Sequence, residues 1–170
     1  QAERAVDEDA SAVPDQIEGH RILVVGASSG IGAAVVRRGA ARGAQVVGAA
    51  RRVEVLTSAF DGLDNAGALH MDVRDAASVR AGVAAAVDRL GGLDAVVYAA
   101  GVSPLIGLGE AGTADWNEVL GTNLVGCAFV ATAVAPHLVP TGGRLVVLSS
   151  KAVRQPFPGL GLYSISKVAL

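Results

Sequence analysis

The sequence predicts an α/β fold: a doubly wound parallel sheet with helices on both faces, built by residues 20–170. Three observations carry this. From His20 onward, short β-branched runs alternate with longer Ala-rich stretches of helical spacing, and strand alternating with helix implies parallel strands joined by right-handed crossovers. The strand-like runs are short and apolar enough to be covered on both faces. The chain also has the capacity for one packed core and little room for a second, with 170 residues of which 51% are hydrophobic and 18% charged.

In order, Arg21 to Val25 reads as the first strand and Ile31 to Arg42 as the first helix, with a glycine-rich turn between them. Gln45 to Ala49 is the second strand and Ala68 to Asp72 the third. Ala76 to Leu90 is a helix: Val79, Val83, Val87 and Leu90 fall on one stripe, and Asp75 stands where an N-cap accepts from free N–H groups. Asp94 to Ala99 is the fourth strand. Thr113 to Leu138 is a long helix, bent or broken near Gly121 to Gly126. Arg144 to Ser149 is the fifth strand, and a last helix opens near Tyr163. Ligands of such sheets bind beyond the C-terminal ends of the strands, where strand order reverses.

Gln1 to Gly19 is set apart. Glu3, Asp7, Glu8, Asp9, Asp15 and Glu18 face a lone Arg4 with no sustained periodicity, which predicts a mobile acidic tail. A formal net charge of −2 gives no general attraction to phosphate backbones or anionic membranes, so nucleic acid is not expected as a partner. No run approaches the ~18 uninterrupted apolar residues of a membrane span, and the acidic start lacks the order of a secretory signal. A soluble protein is expected. Cys127 is the single cysteine, which excludes an intrachain disulfide and a cysteine-based zinc site and fits a reducing, cytoplasmic compartment. His20, His70 and His137 lack metal-ligand spacing, and no metal is expected. Cys127 and Trp116 read as packing residues.

After the first strand comes Gly26-Ala27-Ser28-Ser29-Gly30-Ile31-Gly32. A tight turn of this kind needs φ > 0 and close backbone approach, which glycine supplies. The helix that follows points unpaired N–H groups and the positive end of its dipole outward, which suits a pyrophosphate. The spacing G-x-x-x-G-x-G resembles that of the short-chain dehydrogenase/reductase family, and the resemblance extends over Arg21 to Leu170. It implies a Rossmann-type sheet and a nicotinamide cofactor bound by Gly26, Ser28, Ser29, Gly30, Ile31 and Gly32.

At the end of the second strand stands Ala49-Ala50-Arg51-Arg52. An acid there would accept from an adenosine ribose, whereas an arginine accommodates a 2′-phosphate. Arg51 therefore favours NADP(H), with NAD(H) as the alternative, since a guanidinium pairs with phosphate. The competing readings are that Arg51 and Arg52 are solvated surface charges, or that Glu54 turns toward the ribose. Ser29 stands where some NADP-preferring relatives place a second basic residue. By resemblance Asp72-Val73 contacts adenine; equally, Asp72 caps a turn. Tyr98-Ala99-Ala100-Gly101 resembles the family's N-N-A-G with both amides gone. That is a departure from the family pattern, and it leaves Ala99, Ala100 and Gly101 to approach the cofactor.

Tyr163 and Lys167 are four residues apart, hence on one helix face about one turn apart. A phenol is a poor base at its reference pKa of about 10, and a nearby ammonium favours the phenolate, an arrangement suited to proton transfer at a carbonyl or hydroxyl oxygen. Ser150 stands thirteen residues before Tyr163 at the end of the fifth strand. By resemblance, Tyr163 is the acid/base and Lys167 lowers its pKa and binds the nicotinamide ribose. Ser150 then orients the substrate oxygen, and Asn123, in Thr122-Asn123-Leu124-Val125-Gly126, completes a water-linked relay.

The resemblance thus implies an NADP-dependent oxidoreductase. It would move a hydride between the cofactor and a small-molecule ketone or secondary alcohol, a 3-oxoacyl thioester among the candidates. It implies a homo-oligomer, dimer or tetramer, with no membrane partner. The alternative is a catalytically silent NADP(H)-binding regulator or scaffold. Family members continue beyond Y-x-x-x-K with further strands and a substrate loop, so a longer natural protein is expected.

Overall fold

β1 (Arg21–Val25) lies at the centre of the sheet and is buried from Ile22 to Val25. Its side chains alternate between faces, and both faces are covered: Leu23 and Val25 join one core, Ile22 and Val24 the other. This is why the run is continuously apolar. β1 pairs in parallel with β2 (Gln45–Ala50) on one side and β4 (Ala95–Tyr98) on the other. β3 (Ala66–His70) and β5 (Arg144–Val147) complete a parallel sheet in the order β3-β2-β1-β4-β5. The computed structural model describes residues 17–155 and 157–170.

α1 (Gly30–Ala41) and α2 (Val53–Ala59) cover one face through Val36, Leu56 and the adjoining Phe60. α3 (Ala76–Leu90) and α5 (Gly126–Leu138) cover the other through Val79, Val83, Val130 and Val134. Each such side chain contributes roughly 1.5–3 kcal/mol when fully buried. Asp75 caps α3 as expected, its Oδ1 accepting from Ala77 N at 2.8 Å. α4 (Thr113–Leu120) runs into α5 through a π-helical turn, Gly121–Val125, at the place where a bend or break is expected. The run Thr113–Thr141 holds an 18-residue stretch of mean hydropathy 1.6 and is long and apolar enough to cross a membrane by length and composition. Here its stripe of Cys127, Val130, Val134 and Leu138 is buried in the core that also holds α3 and the sheet. α6 (Gly161–Val168) ends the described chain.

Four expectations are corrected. α2 is absent from the sequence reading because a seven-residue helix with one buried position, Leu56, leaves no periodic signal. β3 lies two residues earlier than expected, set by its register against β2 from Val46↔Ala66 to Ala50↔His70, so Asp72 stands beyond the strand. β5 ends at Val147, and Ser150 starts a short 3₁₀ turn, Lys151–Val153, instead of closing the strand. Finally, Ile17 packs on the second core and Gly19 N donates to Gly43 O at 2.9 Å, so the fold begins before His20. Residues 1–16 of the expected acidic tail lie outside the described residues.

Candidate active site

Strand order reverses at β1, between β2 and β4, and a cleft of about 290 Å³ opens at the C-terminal ends of these strands. Gly26 follows β1 at φ +87°, and a Cβ there would stand 2.3 Å from Ala100 N, so no other residue fits. Gly32 is likewise closed, since its Cβ would meet Gly26 O at 2.3 Å. These two glycines thus serve the protein's own packing of α1 against the strand ends, and Gly32 is not among the cleft's lining residues. Gly30 differs: it has φ +55° with open space around a would-be Cβ, and it lines the cleft. The N-cap Ser29 makes no side-chain cap bond, and the first turn of α1 holds no acidic residue. Free N–H groups and the helix dipole therefore meet the cleft uncompensated. A bare backbone cradle at Gly30 beneath a positive helix end is the donor set that a pyrophosphate requires.

Ser28, Ser29 and Ile31 line the same wall, and Ala99, Ala100 and Gly101 the facing one. Arg51 and Arg52 are exposed on the rim just past β2, whereas Glu54 lies in the first turn of α2 and is not among the lining residues. Asp72 and Val73 also line the cleft. Asp72 in addition caps its turn, with Oδ1 accepting from Arg74 N at 3.0 Å, as the turn-capping reading expects. Sequence reasoning missed Met71, Val102, Thr122 and Leu148 as lining residues. Met71, Val102 and Leu148 each adjoin a segment just past a strand end, a position that offers its own signal in a parallel sheet.

α6 carries Tyr163 and Lys167 with the Lys167 Nζ 5.9 Å from the centre of the Tyr163 ring. Lys167 is buried and donates to Leu148 O at 2.8 Å. Burial pulls its pKa below the ordinary 10.5. Asn123, in the π turn, is fully buried. Its Nδ2 donates to Val102 O and to Ser166 Oγ, both at 2.9 Å, and its Oδ1 accepts from Val102 N at 2.8 Å. Ser150 Oγ accepts from Ala152 N at 3.1 Å, which leaves its O–H to donate elsewhere. The π turn is also held from the sheet side, where the Tyr98 hydroxyl donates to Thr122 O at 2.5 Å and burial pushes the phenol's pKa up.

Asn123, Ser150, Tyr163 and Lys167 do not themselves line the cleft. Asn123 and Lys167 stand directly behind its wall. A Cβ on the lining residue Gly101 would be 3.4 Å from Asn123 Oδ1 and 3.8 Å from Lys167 Nζ, so glycine keeps that wall one backbone thick. The cleft thus gathers the predicted cofactor residues other than Gly32, Tyr163 and Lys167, and of the predicted proton-transfer residues Asn123 and Lys167 lie just behind its Gly101 wall.

The family model for short chain dehydrogenase matches residues 20–170. Gluconate 5-dehydrogenase of Gluconobacter oxydans is 35% identical over 159 residues, covering 91% of this chain and 62% of that protein. Dehydrogenase/reductase SDR family member 4 of Bos taurus is 37% identical over 155 residues, covering 87% and 55%. The crystal structure of a short chain dehydrogenase from Burkholderia cenocepacia J2315 in complex with NADP superposes with a TM-score of 0.82 at 34% identity, covering 90% of this chain and 64% of that one. The chain thus spans between half and two thirds of the length of these relatives. With the parallel sheet, the glycine turn at its switch point and a family match that runs the length of the fold, the chain belongs to the short-chain dehydrogenase family.

Proposed function

We propose that the chain belongs to an NADP(H)-dependent oxidoreductase acting on a ketone or secondary alcohol. The observation that carries this reading is the Lys167 ammonium, buried and 5.9 Å from the centre of the Tyr163 ring, anchored on a carbonyl of the cleft-lining residue Leu148. A nicotinamide cofactor, when bound, supplies or accepts the hydride. Gly26 to Ile31 and the N–H groups of α1 hold its pyrophosphate. Asp72 and Val73 flank the adenine, and Ala99 to Gly101 form the facing wall.

Arg51 on the rim pairs with the adenosine 2′-phosphate. The exposed Arg51 and Arg52, the placement of Glu54 outside the lining, and the NADP complex of the Burkholderia relative all support this preference. Tyr163 gives its hydroxyl proton to the substrate oxygen in reduction, or takes it in oxidation. Lys167 stabilises the phenolate left behind. Ser150 donates its free O–H to the same substrate oxygen. Asn123 holds α6 in register against the wall so that the relay stays assembled. A cytoplasmic setting and self-association belong to the same proposal.

A second reading, a cofactor-binding scaffold without turnover, draws on the fact that the four proton-transfer side chains do not line the cleft. One experiment separates the two: NADPH oxidation by the full-length protein against a panel of carbonyl compounds, beside Tyr163→Phe. We expect turnover of at least one carbonyl, a loss of about 10²–10⁴-fold in the variant, and retained NADPH binding. Full activity in Tyr163→Phe overturns the assigned acid/base, and NADPH binding with no turnover of any carbonyl favours the scaffold.

A further inference from the structure

Tyr98 ends β4 with its ring buried and its hydroxyl 2.5 Å from the Thr122 carbonyl oxygen. Thr122 lies in the π turn, whose backbone is bonded i→i+5. The Tyr98 phenol ties that turn to the end of β4. The fit is mutual, because a Cβ on Gly126 would stand 2.8 Å from the Tyr98 hydroxyl oxygen and 2.9 Å from Val73 Cβ. The residue after Thr122 is Asn123, which grips both backbone polar atoms of Val102 and the hydroxyl of Ser166. Ser166 Oγ in turn donates to the Tyr163 carbonyl oxygen at 2.6 Å. A continuous line of short contacts therefore runs from the sheet, through one phenol and the π turn, to the cleft wall and the helix that presents Tyr163.

We propose that Tyr98 is a positioning residue whose buried hydroxyl fixes the π turn and so holds the Asn123 clamp on Val102 and α6. The effect on turnover rests on the oxidoreductase reading above; the effect on the clamp does not. The phenol stays a neutral donor wherever the protein is folded, since burial disfavours its anion.

Tyr98→Phe removes one oxygen and keeps the ring. Amide hydrogen exchange on the full-length protein reads the clamp through the Val102 N–H, which Asn123 Oδ1 accepts. We expect Val102 exchange to rise about tenfold, the scale of one lost hydrogen bond, with the amides of β1 unchanged. Gly126→Ala, which sets a methyl against the same hydroxyl, provides a second variant and should raise Val102 exchange in the same way. Val102 exchange unchanged in both overturns the proposal whatever the protein catalyses. In kinetics, kcat of Tyr98→Phe should fall about tenfold while NADPH affinity stays within about twofold. A lowered melting temperature with kcat unchanged overturns the positioning role and leaves a structural one. Should the unaltered protein turn over no carbonyl, the oxidoreductase reading fails, and the exchange result still decides the clamp.

Discussion

The Lys167 ammonium donates to the Leu148 carbonyl oxygen at 2.8 Å, so a cation on α6 is anchored to backbone just past β5. Burial lowers its pKa below 10.5, which means that the unfolded chain holds this proton more tightly than the folded one. Stability contributed by this group therefore rises with pH, from the lowered folded value up to 10.5, and is flat beyond. Lys167→Met removes both the charge and its burial cost. Turnover should fall by at least about 100-fold. In denaturation measured across pH, the unaltered protein should gain on the Met variant as the pH climbs toward 10.5. A gap that moves the other way overturns the assignment of a buried, destabilised cation.

The two kinds of glycine in the turn separate folding from binding. Gly26→Ala sets a methyl 2.3 Å from Ala100 N at φ +87°, a clash with backbone that cannot move cheaply. It should cost about 3 kcal/mol or more, measured as a drop in denaturant midpoint. Gly30→Ala meets nothing within 4 Å and carries only the strain of φ +55°, about 1 kcal/mol. Its methyl points into open space at the cleft, so NADPH affinity should fall about tenfold in a fluorescence titration while the fold persists. Equal stability losses at both positions contradict the division.

On the proposed reading, selection between the two nicotinamide cofactors turns on one rim charge. Arg51 is exposed, and the preceding Ala50 is buried and lines the cleft. Arg51→Ala should weaken NADPH about tenfold and leave NADH unchanged, as expected for the loss of one charge-assisted contact partly screened by water. Ala50→Asp places a carboxylate beside the same ribose and should push the ratio further toward NADH. Parallel losses for both cofactors in isothermal titration assign Arg51 to the surface instead.

What the sequence made legible was the part governed by periodicity and spacing. The continuous apolar run Ile22 to Val25 has no polar face because both of its faces are covered, and the α3 stripe through Val79 and Val83 is buried as its period requires. The glycine turn and the four-residue step from Tyr163 to Lys167 fall where local geometry alone puts them. Three features escaped because pairing partners decide them. β3 was misplaced by two residues, since register against β2 fixes its ends and Ala66 to His70 holds no β-branched residue. The anchoring of Lys167 on Leu148 links residues 19 apart in the chain, and Tyr98 reaches across 24 to Thr122. Tyr98 was noticed only as a missing amide, because a phenol's reach across to a π turn leaves no trace in the local pattern.

At the opposite end of the sheet from the cleft, Arg21 Nε donates to Asp94 Oδ2 at 2.9 Å and its NH2 to Oδ1 at 2.7 Å, tying the start of β1 to the residue before β4. The guanidinium's hydrogen bonds hold the Asp94 carboxyl at about 2, below its ordinary 3.8. A lowered folded pKa means that the stabilisation is complete above 3.8 and is lost as the pH falls through about 2. The side chains keep 29% and 27% of their exposure, so screening by water makes the contribution modest. Asp94→Asn should therefore lower the melting temperature at pH 7 by a few degrees. The difference should shrink below pH 3.8 and vanish only well below about 2, where the native carboxyl is protonated as well. Because the pair lies far from the strand ends that build the cleft, NADPH affinity should not change. A melting difference that persists undiminished through the acid range shows that Asp94 acts by packing rather than by charge.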